Sequence, residues 1–141
     1  MSRQNKLNAL AQGIIDNVDG CLGASVVDLE TGFALAAAVH DDSLELDLAA
    51  AYATEMVKAK MKAIKALGLE SDLNDIVLTF EDQLHIITPI TSKNFIYTVF
   101  TPDVDPVQEL HGVIAYNRAQ PLGTLTAEEQ PRHAAPHPWA A

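Results

Sequence analysis

Cys21 is the single cysteine of the chain, and His85 and His111 stand on segments that read as ordered. A thiol beside an imidazole is a nucleophile beside its base, the pairing that acyl-transfer chemistry needs. Nothing in their spacing brings these three together, and a buried structural role is the plainer reading of each. His133 and His137 have the i, i+4 count of a helical metal pair, but Pro131, Pro136 and Pro138 forbid the helix that would align them. Asp41, Asp42, Glu45 and Asp47 are acidic enough to invite a cation, yet they precede a helix, where negative charge is favoured anyway. We therefore expect no metal, no cofactor and no catalytic group.

The common signatures of nucleotide binding and hydrolysis are absent: no P-loop, no dinucleotide-binding glycine pattern, no nucleophile elbow, no zincin pair and no EF-hand loop. The formal charge of −10 repels a phosphate backbone and an anionic leaflet alike, so nucleic acid and membrane are not expected partners. One cysteine excludes an intramolecular disulfide and a thiolate-rich zinc site. The first twenty residues lack the apolar stretch of a signal peptide, and no run has the length of a membrane span. A cytoplasmic, non-enzymatic protein is the expectation. At 141 residues, 48% hydrophobic and 20% charged, the chain is long enough for one well-filled core.

The apolar spacing of Leu7, Leu10, Ala11, Ile14, Ile15 and Val18 predicts a first helix over 3–17. Alternation predicts a hairpin next, with strands over 22–27 and 33–39 and a turn at 28–32. Ala34, Ala36 and Ala38 share one face of its second strand, either for close approach of another element or as a plain solvent face. A long helix over 47–67 follows, with Gly68 as its C-terminal cap and Asp42 to Glu45 available as a capping box. Three strands follow, over 74–80, 84–91 and 95–101, with Pro89 marking a bulge or an early end of the middle one. Asp105, Pro106 and Gln108 read as N-cap, N1 and N3 of a last helix ending near Tyr116. Four of the seven prolines lie between Pro121 and Pro138, so the reading is a domain over 1–117 and a disordered Pro/Ala/His tail over 118–141. Trp139 belongs to that tail. The class is α+β, order α-β-β-α-β-β-β-α, with a five-stranded antiparallel sheet.

The long helix has more apolar surface than a core requires. Tyr52, Met56, Ala59, Ala63 and Leu67 form one stripe, and Ala53, Val57, Met61 and Ile64 form the next, together about 220° of the helix wheel. One stripe can cover the sheet; the other is an interface unless the first or last helix covers it. Glu55, Lys58, Lys62 and Lys65 occupy the remaining arc, and Lys60 falls inside the apolar one, a stem to be snorkelled to water. The basic stretch over 58–65 suits the negative end of the helix dipole, and it is also a candidate docking strip for an acidic partner surface.

The element order, and Gly20, Gly23, Ala24, Val26, Asp28, Gly32, Leu35 and Ala36 in the hairpin, resemble the Roadblock/LC7 family from about residue 4 to 116. The resemblance implies a small homodimer, or a heterodimer with a paralogue, whose long helices pack antiparallel and whose third strands pair edge to edge. It places the contact on Met56, Val57, Ala59, Lys60, Ala63 and Ile64, and on Ile76, Val77 and Leu78. It further implies regulation or scaffolding of a nucleotide-driven switch or motor, as in bacterial regulators of a small Ras-like GTPase and in dynein light chains. No catalytic residue comes with it. Glu55, Lys58, Lys62 and Lys65 are then the docking strip for the GTPase, and positioning of switch loops is its mode of action. Arg3, Arg118 and Arg132 lie outside the expected core, so an arginine finger is not expected. The other classes in play are a small-molecule sensor of profilin- or GAF-like architecture, with a pocket between sheet and helix, and an enzyme built on Cys21 with His85 or His111.

Overall fold

A computed structural model describes residues 2–40 and 42–119. The elements are α1 (Arg3–Asn17), β1 (Cys21–Asp28), β2 (Ala34–Val39), α2 (Leu46–Ala66), β3 (Ile76–Thr79), β4 (Leu84–Pro89), β5 (Asn94–Phe100) and α3 (Val107–Ala119). The class and the element order are those read from the sequence. The five strands form one antiparallel sheet in the order β2-β1-β5-β4-β3, so β2 and β3 are its edges.

Strand alternation splits the core in two. Ala24, Val26, Ile86, Ile96 and Phe100 face α1 and α3, where they meet Leu10, Ile14, Leu110 and Val113. Val27, Ile87, Phe95, Tyr97 and Val99 face the other way and are covered by Ala50, Ala53 and Val57 of α2. Two helices thus share one face of the sheet, and α2 lies alone on the other. The alanine face of β2 proves to be a close-approach surface: Ala36 is buried and Ala38 partly so, in the cluster that holds α1. Its opposite face and outer edge are open, and Ala34–Val39 contains no charged residue.

Local chemistry explains the ends of the elements. The Ser2 hydroxyl accepts from the Asn5 N–H at 3.2 Å and caps α1. At the far end of α2, Gly68 has φ +67°, its N–H donates to the Lys65 carbonyl, and the Leu69 N–H reaches back to Ile64. That pair of bonds is a Schellman cap, which requires the left-handed conformation glycine adopts without strain. The expected capping box does not form: Glu45 is the N-cap of α2 and its side chain makes no capping bond. β3 is shorter than expected, beginning at Ile76, and β4 ends at Pro89, where the missing N–H stops the ladder. The first bond of α3 runs from the Leu110 N–H to the Pro106 carbonyl, one position later than read. The helix also continues to Ala119, so Arg118 belongs to the fold rather than to a tail.

Candidate interaction surface

The two apolar stripes of α2 separate cleanly. Val57 has 0% exposure and Ala53 4%, with Met61 packed beside them, so the Ala53–Val57–Met61–Ile64 stripe covers the sheet. Tyr52 is 73% exposed and Leu67 73%, and Ala59 and Ala63 between them are also exposed. Met56 is half-buried between the stripes. Neither α1 nor α3 can cover the outer stripe, because both lie across the sheet. Of the residues expected at a contact between copies, Ala59, Ala63 and Lys60 are open and Met56 and Ile64 are half-buried. Val57 is corrected: it is a core residue of the single chain and has no surface left to offer a second copy. The small side chains of Ala59 and Ala63 would let another helix come close, the geometry a helix pair needs.

Beyond one flank of this stripe run Glu55, Lys62 and Lys65, all exposed, with Lys58 half-buried among them. Beyond the sheet-covering stripe lies the β3 edge. Ile76 and Leu78 point to the α2 side and are half-buried, whereas Val77 points the other way and is 47% exposed. β3 pairs only with β4, so its outer backbone groups have no strand beside them. Asp75, immediately before this strand, anchors it. Its Oδ1 accepts from the Thr88 hydroxyl at 2.8 Å and from Nε2 of His111 at 2.8 Å, tying the edge to β4 and α3.

His85 sits opposite Leu78 in the ladder, on the same face as α2. Its Nδ1 accepts from the Tyr97 hydroxyl, its Nε2–H donates to Gln83 Oε1 at 2.8 Å, and the Phe80 ring lies against it tilted by 55°, the centroids 4.8 Å apart. Burial lowers its pKa from the ordinary value, opposed by the nearby Asp82 carboxylate, and burial pushes the Tyr97 phenol up to about 12. The imidazole is held as a neutral structural group.

The Cys–His dyad does not assemble. Cys21 is 3% exposed, its Sγ is 3.4 Å from the Gly23 carbonyl, and burial pushes the thiol up to about 12, away from the reactive thiolate. His85 and His111 have the other partners just described. Nor does the α2 side enclose a sensor pocket among the described residues: the helix–sheet contact is filled by Val57, Ile87 and Phe95 at 0–1% exposure. A cleft of about 540 Å³ opens instead at the C-terminal end of α2, between Met61, Ile64, Ser71–Asn74 and Pro89–Ser92. No three His, Cys, Asp or Glu side chains converge among the described residues as a metal site, and no described helix is long and apolar enough to cross a membrane. Asp41, Arg132, His133, His137 and Trp139 lie outside the described residues.

No family model and no curated protein matches the sequence. Solved structures do match. The Roadblock/LC7 domain from Streptomyces avermitilis superposes with a TM-score of 0.63 at 18% identity, over 80% of this chain and 88% of that one. The chain has the Roadblock/LC7 fold. Myxococcus xanthus MglB superposes with a TM-score of 0.64 at 15% identity, over 84% of this chain and 83% of that one. The gliding protein MglB from Thermus thermophilus gives 0.60 at 17% identity, over 84% of each. At such identities the likeness is one of Roadblock/LC7 architecture, carried by the sheet and its asymmetric helices. The signals for it in the sequence are the element order and the hairpin residues Gly20, Gly23, Ala24, Val26, Asp28, Gly32, Leu35 and Ala36. The Asp75–Thr88–His111 anchor had no such signal, because its members are far apart in the chain.

Proposed function

We propose that this Roadblock/LC7 protein works as a non-enzymatic homodimer that binds and regulates, or scaffolds, a small Ras-like GTPase. The observation that carries the reading is the outer stripe of α2, Tyr52, Ala59, Ala63 and Leu67, an apolar surface on a helix whose other face already covers the sheet. The open β3 edge, beyond the sheet-covering stripe of the same helix, supports a pairing in which sheets as well as helices meet. The Roadblock/LC7 resemblance supplies the GTPase: such proteins act on nucleotide-driven switches, and a dimer surface can hold switch loops without contributing a catalytic group.

The first test is the solution mass of wild type beside Ala59→Glu/Ala63→Glu. Both sites are exposed, so the variant keeps its fold by circular dichroism while the wild-type dimer becomes a monomer. A monomeric wild type sinks the reading. The docking strip is tested in the dimer: Lys58→Glu/Lys62→Glu/Lys65→Glu abolishes capture of the GTPase and leaves the mass unchanged, and unaltered affinity dismisses the strip.

A further inference from the structure

The chain has nine Lys and Arg residues, of which four lie on α2 and Arg132 lies outside the described residues. The remaining four, Arg3, Lys6, Lys93 and Arg118, line two adjoining clefts at one end of the molecule, where the start of α1, the last turn of α3 and the β4–β5 turn meet. On a chain with a formal charge of −10 this is a pronounced segregation of positive charge. Arg3 and Lys6 also stand in the first turns of α1, where no acid balances the positive end of the helix dipole. None of the four is in an ion pair among the described residues; the one pair there, His111–Asp75, lies elsewhere. Asp28 is the single carboxylate lining the two clefts, and its Oδ2 already accepts from the Thr31 hydroxyl at 2.9 Å.

The backbone that carries the cations is held in place by the fold. The Thr91 hydroxyl accepts from the Lys93 and Asn94 N–H groups at 3.0 Å, and the Lys93 carbonyl accepts from the Leu29 N–H at 2.8 Å, which fixes the turn. Lys6 Nζ donates to the Arg118 carbonyl at 3.5 Å and joins α1 to α3. Gln4 Nε2 donates to the Leu35 carbonyl at 2.8 Å and secures the first turn of α1 to β2. Between them one cleft, of about 340 Å³, has an apolar floor of Leu7, Leu10 and Ile90 and the Asn94 amide on its wall; Asn117 also lines it, but is buried and its Nδ2 donates to the Val113 carbonyl at 2.9 Å.

We propose that this end is a docking site for an acidic, partly apolar peptide segment of a partner protein. Carboxylates would meet Arg3, Lys6, Lys93 and Arg118, an aliphatic side chain would enter over Ile90, and the Asn94 amide suits a peptide backbone. Four cations cannot outweigh the overall charge against an anionic bilayer, and a bare anion leaves the apolar floor unused. The site lies on the α1/α3 side of the fold and needs neither the dimer nor the GTPase.

The test is titration of the full chain with a fluorescein-labelled peptide of repeated Glu-Glu-Leu, followed by anisotropy and by amide chemical shifts. Shifts centred on Arg3, Lys93 and Asn94 are expected, with affinity weakened about tenfold by Arg3→Glu/Arg118→Glu. Equal affinity in the Arg variant, or shifts confined to α2, overturns the site. Inorganic phosphate or phosphatidylserine vesicles moving the same amides in place of the peptide overturns the ligand class. Glu128→Gln/Glu129→Gln should bind the peptide as wild type does; markedly tighter binding would make the chain's own acidic pair the occupant and overturn the partner assignment.

Discussion

Ser25 is fully buried on the α2 side of β1, and its hydroxyl has no hydrogen-bond partner among the described residues. An orphaned buried hydroxyl costs about 1–3 kcal/mol, so removing it should help. Ser25→Ala is expected to raise stability by about 1 kcal/mol in a urea titration, and a loss of stability would show that the hydroxyl has a partner. His85 gives a pH signature of definite sign. Burial, the larger cause, holds its folded pKa below the unfolded value, so the unfolded chain takes up the proton first as pH falls. Stability attributable to this group is complete above about pH 6.5 and is lost as pH falls from there toward the folded value. Wild type should therefore lose stability more steeply than His85→Gln as pH falls below about 6.5, measured at one protein concentration. Parallel curves would mean that His85 is protonated as easily folded as unfolded.

Gly23 shows how an element depends on a missing side chain. A Cβ there would stand 3.0 Å from Leu44 Cδ1 and 3.1 Å from Leu46 Cδ1, the leucines that lead into α2. Gly23→Val should cost about 1–3 kcal/mol by overpacking, read from the urea midpoint, while a neutral result would mean that the lead-in has room to move. The hairpin and α2 were legible in sequence because their patterns are local: alternation, a helical stripe, a glycine cap. What sequence left open on α2 was which stripe faced inward. Both satisfy the same periodicity, and only the position of α2 against β1 and β5 puts Val57 inside and Ala59 outside. The same limit hid the anchoring of β3, since Asp75, Thr88 and His111 meet through pairing of distant segments. It also hid the basic end, whose four cations are contributed by α1, the β4–β5 turn and α3.

For the molecule as a whole, the helices are unevenly distributed over the sheet, and the side covered by α2 alone carries the surfaces that association would use. The outer stripe of α2 and the β3 edge lie on that side, while the basic cluster lies at the end where α1 and α3 meet the β4–β5 turn. The two surfaces are separate, so a second copy and a peptide could be bound together. The opposite edge has a different consequence. Ala34–Val39 has neither a lysine nor a proline to repel a neighbouring strand; Val39 at its end is 42% exposed, and Phe33, which precedes it, 75%. Native edges are usually blunted by such residues, and here mutual repulsion between highly negative molecules does that work from a distance. The protection is therefore colloidal, and it fades as acid or salt removes the repulsion. Near the isoelectric point of about 4.7 the chain should turn cloudy with growth of β-type infrared absorbance, and Ala37→Lys should keep it clear; equal turbidity in the variant would place the sticky surface elsewhere. An uncharged edge strand thus makes the net acidity of the whole chain a condition for keeping the molecules apart.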